Sequence, residues 1–249
     1  MIIYKYKIND KTGERELCIN DNGPQIMQCV TDKSDAYDFV KYILEPIIKE
    51  QLDGSLMNKR ILDVGMGNGN VLKCVQEQLG TDVFGVDISN YLCYENYQNQ
   101  RTFTNMDVRD LPEELLGTFD VVYQRLFSVP FKDTLNVLSA ISKYLKQDGI
   151  YIVTFDDEEY EHNNSFVIKI LNELYEHVEV TKNRDLIKLC VARQPRLNPK
   201  LTPMEEYYYS LSDEEYYEYR ASDAQEREAI LAKKMCNKQE NDETNKKVR

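Results

Sequence analysis

Apolar residues along the chain fall into two alternating patterns. Short apolar runs of strand-like length begin at Ile61, Val83 and Phe119. Between and after these runs, apolar residues recur at intervals of three and four, as in Val71, Leu72, Val75 and Leu79 and again in Leu135, Leu138, Ile141 and Leu145. This alternation of buried strands with amphipathic helices predicts an α/β fold around a largely parallel sheet.

The N-terminal region predicts accessory elements before this array. Residues 2–7 and 14–19 are strand-like and are joined by a polar turn, which predicts a hairpin. A helix is expected over residues 34–52, with Ser34 as its N-cap, because an apolar stripe runs along it. Pro46 lies within that stripe and should kink the helix, since proline has no backbone N–H to donate.

The C-terminal part of the pattern predicts one more helix, over residues 166–175, and two strands, over 178–181 and 186–192, joined by a turn at 183–185. Three prolines then mark a boundary: Pro195, Pro199 and Pro203. We therefore expect four parts, namely an N-terminal hairpin and helix, a core, an acidic tyrosine-rich helical appendage and a disordered tail, at residues 1–57, 58–194, 195–236 and 237–249.

The run that begins at Ile61 ends in an acid and alternating glycines: Asp63, Gly65, Gly67 and Gly69. A strand, a glycine turn and a helix bring bare backbone against a nucleotide-like ligand, because no Cβ stands in the way. A dinucleotide fingerprint would need its third glycine at position 70, which is Asn70. The spacing is D-x-G-x-G-x-G instead.

A second acid, Asp87, ends the apolar run at 83–86, about 20 residues after the glycine loop, where a carboxylate can accept hydrogen bonds from both hydroxyls of a ribose. The glycine pattern, Asp87 and the segments 103–112 and 119–130 occur in order. Together they resemble the motifs of the class I S-adenosylmethionine-dependent methyltransferases, over roughly residues 36–194.

The resemblance implies a fold and a cofactor. The expected fold is a Rossmann-like, doubly wound sheet of seven strands, mostly parallel with one antiparallel strand, with N-terminal lid elements and a C-terminal helical appendage. The implied cofactor is S-adenosyl-L-methionine, with S-adenosyl-L-homocysteine as product. The residues implied to bind it are Asp63, Gly65, Gly67, Gly69, Asp87, Ile88, Asp107, Val108 and Gln124. Asp110 competes with Asp107 for the contact with adenine.

The turn before the fifth strand, at 145–149, departs from the Leu-Lys-Pro-Gly-Gly common in the family. It keeps Gly149, which we expect to supply a left-handed turn position.

No catalytic constellation stands out, which is consistent with a methyl group that the cofactor already activates. Candidates are Arg125, Asp156 and His162. The acidic run at 156–159 is either a solvated loop or a site that attracts an amine and helps deprotonate it. His162 is either a general base or simply exposed.

The net charge of −12 argues against a nucleic-acid acceptor, because no basic stripe offsets it. Six scattered cysteines without a C-x-x-C pair, and two histidines, predict neither a metal site nor disulfides, as in a reducing cytoplasm. No apolar run is long enough to span a membrane. We therefore expect a cytoplasmic methyltransferase with a small-molecule acceptor, preferably an amine.

Two alternatives stay open. The acidic, tyrosine-rich residues 204–228 either pack on the domain or dock a protein partner, as in a protein or RNA methyltransferase. The chain could also be a non-catalytic methyltransferase-like scaffold.

Overall fold

The computed structural model describes residues 5–8, 15–18, 31–52, 54, 58–88, 103–125, 129, 131–155, 161–182 and 188–197, and seven further positions, namely 201, 208, 209, 211, 215, 218 and 231. The predicted turn at 183–185 and the predicted tail at 237–249 lie outside these residues.

The described residues form nine strands and five α-helices. The strands are β1 (Lys5–Ile8), β2 (Arg15–Cys18), β3 (Arg60–Val64), β4 (Asp82–Asp87), β5 (Phe103–Asn105), β6 (Phe119–Gln124), β7 (Leu145–Phe155), β8 (Tyr175–Lys182) and β9 (Lys188–Pro195). The helices are α1 (Lys33–Phe39), α2 (Glu45–Gln51), α3 (Asn70–Leu79), α4 (Phe131–Tyr144) and α5 (Glu161–Leu174). Single 3-10 turns occupy Val108–Asp110 and Glu113–Leu115. The predicted hairpin is the antiparallel pair β1 and β2.

The main sheet has the strand order β5-β4-β3-β6-β7-β9-β8. Strands β5, β4, β3, β6 and β7 are parallel, whereas β9 runs antiparallel to both of its neighbours. The predicted α/β, Rossmann-like and mostly parallel fold is therefore confirmed. The chain moves outward from β3 to one side and from β6 to the other, which creates a topological switch point between these two strands, where ligands bind in such sheets.

Apolar side chains cover both faces of the sheet. One face, here called the α1/α3 face, joins Ile61, Val121 and Tyr123 of the sheet to α1 and α3. The other, the α4/α5 face, joins Leu62 and Val122 to α4 and α5. Neighbouring residues of a strand point to opposite faces, and every residue of β6 is buried. This central strand thus anchors both layers.

The helix before β3 differs in two details from the prediction. Its N-cap is Asp32, whose Oδ1 accepts the Asp35 N–H at 2.8 Å, so the prediction of Ser34 as the cap is wrong. A π-helical segment, Val40–Leu44, separates α1 from α2, and the Glu45 N–H donates to the Val40 carbonyl five residues back. Pro46 follows at once and lacks the N–H of a regular helical bond, so the expected distortion takes the form of this wider turn.

Gly149 does not have the left-handed conformation that we predicted. It lies within β7, where the register shifts between the Phe119–Leu145 and Val121–Ile150 pairs. A Cβ at Gly149 would lie 2.9 Å from the Asp120 carbonyl oxygen and 2.9 Å from Leu145 Cδ1. Glycine is thus required here by the close approach of two strands at a bulge and not by a turn.

Several of the described residues of the C-terminal region pack on this domain. Tyr209, Leu211 and Leu231 are buried in the core of the α4/α5 face. The rings of Tyr208 and Tyr209 each lie 5.4 Å from the ring of Phe166 in α5. Pro195 pairs with Tyr175 in the sheet, so the last strand includes the first boundary proline. None of the described helices is long and apolar enough to cross a membrane.

Candidate active site

The glycine loop follows β3 at the switch point of the sheet. Gly65, Gly67 and Gly69 all have positive φ, at 78°, 56° and 77°. The loop turns back onto β4, because the N–H groups of Gly65 and Met66 donate to the Val86 carbonyl at 2.8 and 3.2 Å. A Cβ at Gly65 would meet no heavy atom within 4 Å, so this turn faces open space. The alternating glycines therefore serve backbone conformation, and they leave room for a ligand at the strand end.

Met66 anchors the loop in the core, a role that the sequence pattern does not predict. Its buried side chain fills the space above Gly85 of β4. A Cβ on Gly85 would lie 2.5 Å from Met66 Sδ and 2.5 Å from Leu72 Cδ2. The glycine in an otherwise apolar strand was the available signal, since such a glycine often marks a close approach of another segment.

Asp87 ends β4 and contacts the loop directly. Its Oδ2 accepts the Gly67 N–H at 2.8 Å. The same carboxylate lies close enough to Asp63 to oppose the ionisation of that residue. Two predicted site acids therefore lie together beside the glycine loop, on adjacent strands.

Asp63 is buried on the α1/α3 face, 2% exposed, and hydrogen-bonds to Tyr123 of β6. The Tyr123 hydroxyl donates to Asp63 Oδ2 at 2.7 Å. Burial raises the pKa of Asp63 to about 7; the Tyr123 hydrogen bond opposes this, Asp87 adds to it, and Arg125 opposes it. The sequence pattern does not predict this bond between Tyr123 and Asp63. The signal was a tyrosine in a central strand, since a buried hydroxyl generally needs a partner.

Gln124 and Arg125 follow Tyr123 at the end of β6. The Gln124 side chain is buried, and its Oε1 accepts the Tyr151 hydroxyl at 2.9 Å. Tyr151 belongs to the core of the α4/α5 face, so the Gln124 side chain is directed away from Asp63. The Arg125 guanidinium instead lies over the Phe39 ring of α1, 5.3 Å from its centroid.

Thr31, just before α1, accepts hydrogen bonds from residues of the glycine loop and the start of α3, and from the residue after β6. Its carbonyl accepts Asn68 Nδ2 at 2.8 Å and Asn70 Nδ2 at 3.0 Å. Its hydroxyl accepts a hydrogen bond from Arg125 Nη1. This Thr31 junction fixes the N-terminal helix against the glycine loop. The sequence pattern does not predict this junction, because its partners are far apart in the chain.

Asp107 is the N-cap of the 3-10 turn Val108–Asp110. Its Oδ1 accepts the Arg109 N–H at 2.8 Å, and the Arg109 guanidinium donates to both oxygens, at 3.0 and 2.6 Å. These bonds, the guanidinium first, lower the pKa of Asp107. Val108 is buried below the turn. Asp107 thus caps this turn, and its contact with adenine stays a prediction.

Three predicted site residues remain, namely Ile88, Asp156 and His162. Ile88 follows Asp87 and is 64% exposed, which is unusual for a large apolar side chain and leaves it available to a ligand. Asp156 lies outside the described residues. His162 belongs to α5, but its side chain lies outside the described part. Within the described residues, no group of three or more His, Cys, Asp or Glu side chains could hold a metal ion.

These residues fit S-adenosylmethionine. Gly65 opens onto free space, two carboxylates lie close together beside the loop, which suits a ligand that carries positive charge, and an exposed isoleucine follows the second acid. The site lies at the carboxyl ends of parallel strands beside the switch point, where α/β sheets bind ligands.

Part of the chain matches a known protein family. Residues 62–153 match a family model described as methyltransferase domain, and this span runs from β3 to β7. A search of curated proteins finds no significant match. Three similar solved structures are the PH0226 protein from Pyrococcus horikoshii OT3, the CurJ carbon methyltransferase, and the T. thermophilus 16S rRNA methyltransferase RsmC in complex with AdoMet and guanosine.

Their similarity to this chain is distant. The identities are 18%, 15% and 14%, with TM-scores of 0.47, 0.48 and 0.49. The alignments cover 65%, 66% and 80% of this chain, and 92%, 59% and 47% of the other chains. The family match includes Asp63, the three glycines of the loop and Asp87. Residues 62–153 therefore carry a methyltransferase domain, whose cofactor is S-adenosylmethionine.

Proposed function

We propose that this enzyme transfers the methyl group of S-adenosylmethionine to a small-molecule acceptor, preferably an amine nitrogen. The observation that carries the proposal is the arrangement at the switch point. Three glycines with positive φ open a loop beside two carboxylates, Asp63 and Asp87, and Asp87 accepts a backbone N–H of that loop. This is a rigid cradle for a cationic, ribose-containing ligand.

Each cofactor-binding residue has a proposed role. Asp63 would accept the ammonium group, Asp87 the ribose hydroxyls, and the backbone of Gly65, Gly67 and Gly69 would approach the methionine part. Ile88 would cover the adenine, while Asp107 and the Val108 N–H would bind its polar edge. Gln124 would contribute its backbone, because its side chain is bonded to Tyr151.

The protein positions the reactants and excludes water from the site. The bound cofactor supplies an already activated methyl group, so the residues need to orient the acceptor and exclude water. We assign Arg125 a positioning role instead of a catalytic one, because its guanidinium contacts Thr31 and Phe39. Asp156 and His162 stay candidates for the acceptor side. The helix before β3 would be the lid, held by the Thr31 junction.

The packing of the C-terminal region favours a small acceptor over a macromolecule. Tyr208 and Tyr209, which belong to the segment that could dock a protein or an RNA, contact Phe166 of α5. Lys169 Nζ also lies over the Tyr208 ring, 5.8 Å from its centroid. These rings cover the domain itself. The net charge of −12 further opposes an RNA acceptor and suits an amine, which is cationic before it loses its proton.

Calorimetric titration with S-adenosylmethionine and S-adenosylhomocysteine tests the cofactor site. We expect micromolar affinity, about −8 kcal/mol, that is lost in Asp87→Ala. Asp82→Ala is a matched control, because Asp82 begins the same strand at its opposite end and forms an exposed ion pair with Arg60. An unchanged affinity in Asp87→Ala would contradict the site.

A second experiment tests the acceptor. The enzyme is incubated with methyl-labelled cofactor and a panel of small amines, alcohols and thiols, and in parallel with basic proteins and tRNA. Label transferred to amines supports the proposal. Transfer confined to proteins or RNA overturns the small-molecule acceptor, and cofactor binding without any transfer favours a scaffold.

A further inference from the structure

Tyr123 and Asp63 form a buried pair at the centre of the sheet. The two residues are opposite each other in the parallel pair of β3 and β6, so backbone hydrogen bonds set their separation. The Tyr123 hydroxyl donates to Asp63 Oδ2 at 2.7 Å, and Tyr123 is only 1% exposed. Its ring also packs 6.4 Å from that of Phe39. Neither partner can easily turn away from the other.

We propose that Tyr123 is a positioning residue that orients Asp63 and favours its ionised form, so that its carboxylate can bind the cationic ammonium group of the cofactor. This inference rests on the proposed cofactor role of Asp63. Tyr123 itself does not touch the ligand. It acts through the carboxylate, by donating a hydrogen bond that the ionised form accepts.

The electrostatic surroundings explain why Asp63 needs such a partner. Burial and the nearby Asp87 at the end of β4 both oppose its ionisation, whereas Tyr123 and Arg125 favour it. Cys74 of α3 faces Tyr123 from the helix layer. The resulting pKa of Asp63, about 7, divides the carboxyl between its two forms at neutral pH. A cation binds the ionised form better, so binding at neutral pH must release protons.

The pH dependence of cofactor affinity follows from this balance. Affinity should rise about tenfold per pH unit below about 7, where ionising Asp63 costs free energy, and fall again above about 8, where the ammonium group of the ligand loses its proton. Removing the Tyr123 hydroxyl takes away a donor that lowers the pKa of Asp63, so the rise in affinity should extend to higher pH. A hydrogen bond to a charged group corresponds to a shift of about one pH unit.

The test measures the dissociation constant of S-adenosylmethionine between pH 5.5 and 9, with the full chain, for the wild type and three variants. In Tyr123→Phe, which keeps the ring, we expect the midpoint to move up by about one pH unit and the affinity at pH 7 to fall about tenfold, with near wild-type affinity at pH 9. Tyr175→Phe is the matched control, because its buried hydroxyl has no hydrogen-bond partner among the described residues. Its profile should match the wild type.

The third variant, Asp63→Asn, separates this inference from the cofactor site. Wild-type affinity in Asp63→Asn would overturn the role of Asp63 itself. Weak binding by Asp63→Asn, together with an unshifted midpoint or an equal loss at every pH in Tyr123→Phe, would overturn the role of Tyr123 alone. Calorimetry of the wild type in two buffers of different ionisation enthalpy adds a test without mutation. We expect cofactor binding to release about half a proton at pH 7. Binding without proton release would contradict the inference.

Discussion

Gly67 donates its backbone N–H to Oδ2 of Asp87 at 2.8 Å. This hydrogen bond joins the middle of the glycine loop to the end of β4, so the backbone itself orients the carboxylate. A charged group that the backbone fixes loses little conformational freedom when it binds a ligand. The bond thus links the loop, which the sequence shows as a motif, to an acid that lies 20 residues further along the chain.

Asp87→Asn should separate the charge of this residue from its structural contact. The amide oxygen can still accept the Gly67 N–H, so we expect a change in unfolding free energy of less than about 0.5 kcal/mol. The affinity for S-adenosylmethionine should fall about tenfold or more, because a charge-assisted hydrogen bond to the ribose is lost. Calorimetry and thermal unfolding of the same preparation measure both. A large loss of stability would show that the charge, and not only the acceptor, holds the loop.

Gly85→Ala should displace Met66. The added methyl would lie 2.5 Å from Met66 Sδ and from Leu72 Cδ2, so we expect a loss of about 1–3 kcal/mol from overpacking. The loop would move with Met66, and cofactor affinity should fall too. Chemical denaturation measures the stability. The double variant Gly85→Ala/Met66→Ala relieves one of the two contacts and should restore part of it. If the loss of stability in the double variant equals the sum of the losses in the two single variants, the two side chains do not compete for this space.

The Thr31 junction should show energetic coupling between Arg125 and Thr31. Arg125→Ala removes the donor and the contact with Phe39, whereas Thr31→Val removes the hydroxyl acceptor with little change of shape. In a double-mutant cycle of unfolding free energies, we expect a coupling of about 1 kcal/mol. Asn172→Ala with Arg125→Ala is a control pair, since Asn172 bonds only locally to Ile168 within α5 among the described contacts. Equal, purely additive effects in both pairs would contradict the junction.

Tyr175→Phe should stabilise the protein. The Tyr175 hydroxyl is buried and has no partner within the described part of the chain, while its ring stacks on Tyr151 at 6.1 Å between centroids. Removing an unpaired buried hydroxyl should add about 1 kcal/mol to the unfolding free energy. Tyr151→Phe makes the opposite change, because it leaves the buried Gln124 Oε1 without this donor, and should cost about 1–3 kcal/mol. Thermal unfolding of both variants checks the difference in sign.

Asp63 should make the stability of the ligand-free enzyme depend on pH. Its pKa in the folded state, about 7, lies above the value of about 4 expected when unfolded, so the folded state holds the proton more tightly between these values. The free energy of unfolding should therefore fall by up to about 4 kcal/mol as pH rises from about 4 to 7. Asp63→Asn lacks this titration. We would measure the free energy of unfolding of both proteins at several pH values. Relative to the wild type, the stability of the variant should increase towards neutral pH. A difference that does not change with pH would contradict a buried carboxyl with a raised pKa.

The sequence was most predictive where the signal is local. The acid and the alternating glycines lie within seven residues, and their order requires a strand, a turn and a helix; Gly65, Gly67 and Gly69 all have the positive φ that this turn needs. Asp87 was predictable because one helix and one strand give a fixed spacing. The alternating pattern likewise predicted the strands on both sides of the switch point.

The remaining features depend on contacts between distant segments, which leave no spacing to recognise. Tyr123 lies 60 residues from Asp63, and Arg125 lies 94 residues from Thr31. Gly149 shows the same limit in another form. Its position before a strand suggested a turn, but the bulge opposite Phe119 and the nearby Asp120 carbonyl decide its conformation. Ser34 was mistaken for the cap because Asp32, two residues earlier, accepts the same kind of bond.

The Thr31 junction bears on whether the parts of this chain can exist separately. A fragment that begins at residue 58 would contain the whole family match, yet it would leave the amides of Asn68 and Asn70 and the guanidinium of Arg125 without their acceptor on Thr31. It would also uncover the apolar side of α3 that packs with Ala36, Phe39 and Val40. We therefore expect the helix before β3 to unfold together with the core, and a fragment without it to be less stable than the full chain.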